Sequence, residues 1–319
     1  MQGEVRAFLV YEGESAVLEG YSLEQTGAAY SFGWMYSPGE AVVEICEGSF
    51  AVVRQSGRRL AYSIYSLKPS GCWEDRVDEV PDIVGAHEDY REFHAIARGD
   101  PLVGGVVEAA PGLRLRRLGV WAASLVAVAQ QNASFRQGWG MVYRLYKIAS
   151  RRILLKQRRG SKVVLQTPSP EEVSIELLRR AGYGYRAQTV LYISAELKKL
   201  GADIHACSVD AIERLAEVSG VGPYTYNLVK LLACRDYQAL PVDRWLEALA
   251  SEAYGVDRSQ VQQTLTARFG RWRGLAAYFT TIGFDAQPLR KALARLREGK
   301  NKPGLAEPSP MSLWKYTPP

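Results

Sequence analysis

The densest chemical signal lies in residues 211–249, AIERLAEVSGVGPYTYNLVKLLACRDYQALPVDRWLEAL. A helix ending near Ser219 runs into Gly220-Val221-Gly222, and Pro223 opens the next helix. Glycine allows the positive φ of a tight reversal. Proline suits the first helical position because its missing N–H would find no partner there anyway. The reversal leaves backbone N–H groups at a helix N-terminus with little bulk in front, an arrangement that binds phosphate and grips a nucleic-acid backbone without reading sequence. Alone, GVG is weak evidence and reads first as an ordinary αα-hairpin. The second signal is Leu240-Pro241-Val242-Asp243, just before RWLEALA. One reading of Asp243 is a helix N-cap, although Leu246, three residues on, completes no capping box. The other is a carboxylate beside a glycosidic bond, stabilising an oxocarbenium-like sugar or orienting water.

These residues lie in the basic part of a charge-divided chain. Residues 1–100 hold 8 Lys/Arg and 17 Asp/Glu (8 − 17 = −9), and residues 101–319 hold 32 and 17 (32 − 17 = +15). A basic later part suits a polyanionic partner. Cys46, Cys72, Cys207 and Cys234 form no CxxC pair, so the spacing argues against zinc, an iron–sulfur cluster or a disulfide framework and predicts four free thiols. His87, His94 and His205 are too scattered for a metal site. No run of 18 apolar residues occurs, and the acidic N-terminus lacks a signal peptide's pattern, which predicts an intracellular, cytoplasmic protein.

Short β-branched and aromatic runs at 41–46, 50–55 and 60–67 predict an antiparallel sheet. From Leu118 the pattern is helical. Residues 121–130 are apolar all round, as in a buried central helix, and residues 138–155 carry a helical spacing. The fold class expected is α+β: an N-terminal antiparallel β-sheet domain (1–105), an all-helical domain (106–300) and a Pro-rich tail (301–319). Residues 151–162, with six basic residues and no acid, are expected to form a solvated basic face that adds nonspecific DNA attraction.

Gly220–Gly222 followed by Leu240–Asp243 resembles the helix-hairpin-helix and aspartate signature of base-excision DNA glycosylases. Residues 30–34 (YSFGW), 140–145 (GMVYRL) and 178–187 (LRRAGYGYRA) are similar, in order, to segments of 8-oxoguanine glycosylases, so the resemblance covers roughly residues 20–298. It implies a sheet followed by two helical subdomains and an enzyme that extrudes a damaged base from duplex DNA. It implies DNA contacts at Gly220, Val221 and Gly222. Asn132, beside Gln131, would fill the vacated stack, and Tyr185 and Arg186 would wedge the helix and contact the orphaned cytosine. It further implies a monovalent cation, Na+ or K+, on the carbonyls of Ala216, Val218 and Val221, with no cofactor required. Polar surface near turns is the alternative for the wedge residues.

The sequence departs from that pattern at the lysine of bifunctional 8-oxoguanine glycosylases, where it has Tyr224. Tyrosine forms no Schiff base, so water becomes the nucleophile and strand cleavage falls into doubt. Lys230 lies on another face of the same helix. The stretch Pro223–Asn227 is similar instead to bacterial 3-methyladenine glycosylases, which put an aromatic ring there. Tyr224 either stacks on the extruded base, favouring electron-poor or cationic purines, or packs beneath the hairpin. Phe32 and Trp34 either reach the base pocket or fill the core, and Trp245 is a further pocket residue beside Asp243. Two 8-oxoguanine-pocket positions fall near Ala277 and Thr281. The expectation is a monomeric, monofunctional glycosylase of base excision repair acting on a damaged purine. A glycosylase/lyase with a displaced lysine and a non-catalytic damage-binding protein stand as alternatives.

Overall fold

The structure is a computed structural model that describes residues 4–158, 160–304 and 308–316. Strands β1 (Val5–Ala16), β2 (Tyr36–Ser37), β3 (Glu40–Cys46), β4 (Ser49–Ser56) and β5 (Arg59–Ser66) form an antiparallel array, as the alternating runs predict. One face packs Ala41, Val43, Ile45, Val53 and Ile64 against helix α1 (Leu23–Ala28) and the segment around α2 (Val80–Ile83). The other face carries Val42, Phe50, Val52 and Tyr65.

That second face explains a departure from expectation. The helix predicted to run through Leu155 stops at Ala149, and the chain continues as β6 (Arg152–Gln157) and β7 (Gly160–Leu165). Ile153, Leu155 and Val164 cover the apolar face, and β6 pairs in parallel with β1 to give the order β2-β3-β4-β5-β1-β6-β7. The molecule is mixed α+β, and its later part is not all-helical. A buried period of two at Ile153 and Leu155 outweighs the helical spacing upstream. The basic run is likewise not a free face. Arg152 pairs with Glu4 at 2.8 Å, Arg158 with Glu12 at 2.8 Å and Lys162 with Glu40 at 3.1 Å. Part of the charge asymmetry is therefore neutralised inside the molecule, where the basic hairpin meets the acidic sheet.

The remaining helices are α3 (Arg91–Ala97), α4 (Gly104–Ala109), α5 (Val120–Gln130), α6 (Phe135–Ala149), α7 (Ile175–Arg180), α8 (Arg186–Lys199) and α9 (Val209–Leu215). After them come α10 (Pro223–Cys234), α11 (Arg244–Tyr254), α12 (Val261–Phe269), α13 (Arg273–Gly283) and α14 (Leu289–Arg297). Helix α5 is the buried centre expected, with nine of its eleven residues inside. Two helical cores result, one around α5 and one around α11–α13, and Leu228 and Leu232 of α10 pack against both. Among the described residues, no helix is long and apolar enough to cross a membrane.

All four cysteines differ from expectation. Cys46 is bonded to Cys72 and Cys207 to Cys234, with Cα–Cα distances of 6.2 and 4.9 Å. Sequence spacing could not reveal this, because each bridge joins elements that only folding brings together.

Candidate active site

Helix α10 positions the site. Its N-terminus follows a reversal in which Gly220 has φ +87° and Gly222 caps the helix, with Pro223 in the first turn. Gly220, Gly222 and Pro223 are exposed, so backbone N–H groups face solvent behind little side-chain bulk. Beside them, Gln131 ends α5 and its Nε2 donates to the Gly220 carbonyl (2.9 Å) and to Thr225 Oγ1 (2.6 Å). Asn132 turns away with φ +45°. Arg186 donates from Nε to the Gln131 carbonyl (2.9 Å) and from Nη2 to that of Asn132 (3.2 Å). Its guanidinium carbon lies 4.6 Å from the ring centre of Tyr185, which is 67% exposed. The expected DNA-contact residues thus converge on one surface. Arg186 braces the Gln131–Asn132 turn through these bonds, a use the sequence did not suggest.

A cleft of about 870 Å³ opens between the two helical cores. Asp243 and Tyr224 both line it, as do Trp245, Ala277 and Thr281. Asp243 fulfils the N-cap reading and also lines the cleft. Its Oδ1 accepts the Leu246 N–H at 2.8 Å, capping α11, and the side chain is open to the cleft. The cap succeeds without a capping box, so the absence of one was no argument against it. Capping fixes the carboxylate's direction. The protein around it raises its pKa above the usual 3.8 by desolvation, against the N–H groups of Leu246 and Trp245, which lower it. Burial pushes the Tyr224 phenol well above 10, and the Asp243 charge adds to this.

The aromatic wall is where the sequence reading missed most. Tyr30 follows α1 with φ +52° and lies 5.1 Å from Tyr278 and 5.5 Å from Trp139, ring centre to ring centre. Its hydroxyl bonds to Thr281 Oγ1, and burial raises its pKa. The left-handed turn that aims Tyr30 has no strong local signal, since the residue is not glycine. Phe32 is corrected: it is 0% exposed, stacks on Trp34 at 4.6 Å and belongs to the α5 core. Trp34 is corrected too, because it lines a separate cavity of about 80 Å³ beside Glu44. Trp245 reaches the cleft, held by a 2.8 Å bond from Nε1 to the Gln287 carbonyl. Lys230 is turned elsewhere, 2.8 Å from Asp236 and above the Tyr226 ring. The lysine that does line the cleft is Lys291.

No group of three or more His, Cys, Asp or Glu side chains suits a metal among the described residues. The hairpin carbonyls are a different kind of site. Val218 accepts the Val221 N–H at 3.0 Å, and no backbone bond in the described turn ends on the carbonyls of Ala216 or Val221.

No family model matches the chain. Over 142 residues it is 30% identical to a protein of Methanothermobacter thermautotrophicus named probable N-glycosylase/DNA lyase, a match spanning 41% of this chain and 43% of that relative. The fold is similar to the 8-oxoguanine glycosylase/lyase of Clostridium acetobutylicum, with a TM-score of 0.63 at 16% identity over 88% of this chain and 98% of that one. It is equally similar to the 3-methyladenine DNA-glycosylase of Archaeoglobus fulgidus, with a TM-score of 0.65 at 16% identity over 84% and 97%.

Proposed function

We propose that this chain, a member by fold of the helix-hairpin-helix glycosylase superfamily, is a monofunctional DNA N-glycosylase that hydrolyses the base–sugar bond of a damaged purine extruded from duplex DNA. The observation that carries the reading is Asp243: a carboxylate fixed by its own helix cap, open to an aromatic cleft, with Tyr224 on the same wall. The exposed hairpin N–H groups hold the phosphate backbone, and Asn132 and Tyr185 stand where the duplex must open. Tyr30, Tyr224 and Tyr278 supply π-faces for the base. The Asp243 anion stabilises the oxocarbenium-like sugar and orients water. The enzyme acts as a monomer and needs no cofactor. A Na+ or K+ ion on the carbonyls of Ala216, Val218 and Val221 would stiffen the phosphate grip.

A second reading, glycosylase/lyase, is favoured by two observations: Lys291 lines the cleft with Asp243, and the Methanothermobacter relative is named an N-glycosylase/DNA lyase. One experiment separates these readings. Duplexes carrying single lesions are incubated with wild type and Asp243→Asn, with and without alkali, and with borohydride. Asn still caps a helix, so the variant should bind DNA normally and lose ~10²–10⁴-fold in base release, as expected on removing an electrostatic or acid–base group. Strand breaks should need alkali, and borohydride should trap nothing. A borohydride adduct that disappears in Lys291→Gln would establish the second reading. Undiminished release by Asp243→Asn would remove the mechanism, and no release by wild type from any lesion would leave a binding protein.

A further inference from the structure

The cleft wall holds a cation that base release by Asp243 does not use. Arg116 lies in the extended stretch before α5 and lines the same cavity as Tyr30, Tyr278 and Asp243. Its two hydrogen bonds both leave from Nη2, at 3.0 Å to the Ala29 carbonyl and 2.7 Å to Ser31 Oγ. Among the described residues no carboxylate lies within ion-pair distance of it, and none accepts from its Nε–H and Nη1–H groups.

Its neighbours show how unusual that is. Arg114 gives Nε to the Glu88 carbonyl and Nη1 to those of Pro111 and Leu113. Arg117 pairs with Glu79, and Arg235 with Glu88. Asp285, also on the cleft wall, is bonded to Arg295 at 2.7 Å. Arg116 alone of these borders the cleft with donors to spare, and it also borders the small cavity beside Glu44. Burial disfavours its charge, yet a guanidinium stays protonated. A desolvated cation held by a carbonyl and a hydroxyl has donors to offer and needs an acceptor.

What would answer it follows from purine chemistry. With both Nη2 hydrogens taken, the Nη1 hydrogens remain to reach adjacent acceptors, and a 6-oxopurine presents O6 and N7. Adenine and its alkyl derivatives place an amino donor at C6, which would face the Nη1 hydrogens donor to donor and leave buried groups unpaired. An N7-alkylated guanine has lost the N7 acceptor and carries a positive charge beside a second one. We propose that Arg116 is the specificity-determining residue of the cleft, taking the O6/N7 edge of an extruded 6-oxopurine such as hypoxanthine and turning away cationic alkylpurines. This rests on the glycosylase reading and sharpens it. It opposes the preference for cationic bases that the aromatic wall alone would give.

The test uses the full chain and duplexes with one hypoxanthine or one N7-methylguanine, each opposite cytosine, and measures the free base released under single turnover. Wild type should release hypoxanthine at least tenfold faster. Arg116→Met and Arg116→Gln should each lower that ratio at least tenfold. Both should bind DNA containing an abasic analogue as wild type does, since no base is there to be read. The glutamine amide can still donate to Ala29 or Ser31, so Arg116→Gln carries the test if Arg116→Met misfolds. A ratio unchanged in the folded variant, or a wild type that prefers N7-methylguanine, overturns the assignment while leaving the glycosylase standing. Release of no base from any lesion overturns both.

Discussion

At the scale of single residues the site turns on one carboxylate with two duties. Asp243 caps α11 through one oxygen and is open to the cleft, so the helix that begins there aims the carboxylate to which we assign the chemistry. The same crowding raises its pKa above 3.8, with two opposite consequences. Catalysis needs the anion, so base release should fall as pH drops through the folded value. The acid limb of kcat/KM should therefore lie above pH 3.8, and a limb at or below 3.8 would show that Asp243 is not the ionising group. Stability runs the other way. A carboxyl whose pKa is raised by folding contributes fully below 3.8, and that contribution is lost as pH rises through the folded value. The anion at neutral pH is thus a cost, and Asp243→Asn should be at least as stable as wild type at pH 7. A site that gives up stability for chemistry is a common trade.

Elements carry the next level, and the hairpin shows how much of it two glycines decide. Gly220 sits at φ +87°, and a Cβ there would overlap the Thr189 hydroxyl of α8. Gly222 has φ −94° and open space around it. Gly220→Ala should therefore cost about 1–3 kcal/mol of folding stability and weaken DNA binding with it. Gly222→Ala should leave the melting temperature nearly unchanged and still weaken binding, because its methyl stands in front of the N–H groups proposed to bind phosphate. Denaturation midpoints and abasic-DNA affinity check both, and equal stability loss at the two positions would contradict the geometry. The hairpin was legible because glycine, proline and aspartate act locally, through φ, a missing N–H and a cap. The β6–β7 hairpin was not, because Ile153 and Leu155 become strand residues only against the sheet face built by Val42, Phe50 and Val52. The cleft wall was half legible. Tyr224 and Trp245 lie next to a recognisable motif, whereas Tyr30, Trp139 and Tyr278 meet from three distant segments. Phe32 and Trp34 share a segment with Tyr30, and nothing in that segment says that Tyr30 alone turns outward to the cleft.

Across the whole molecule, covalent links tie the active helix to the scaffold. Cys207 lies just before α9 and Cys234 ends α10, so their bridge spans the complete hairpin that carries Tyr224 and the proposed phosphate grip. Cys46–Cys72 instead joins β3 to the chain before α2, on the sheet side. Disulfides are rare in the cytosol, with hyperthermophiles as the main exception, so two bridges bear directly on where such a chain can work. Each closes a loop of similar length, with sequence separations of 26 and 27. Chain entropy then predicts about 3–4 kcal/mol of stabilisation from each. Replacing either pair with serines should lower the unfolding free energy by that amount, read from denaturant midpoints. The functional effects should differ. Loss of Cys207–Cys234 frees the hairpin's two ends from one another and should weaken DNA binding at temperatures well below unfolding. Loss of Cys46–Cys72 should leave binding and base release intact at those temperatures. If both double variants bind DNA equally well, α10 is held by packing of Leu228 and Leu232 against the two helical cores rather than by its cystine.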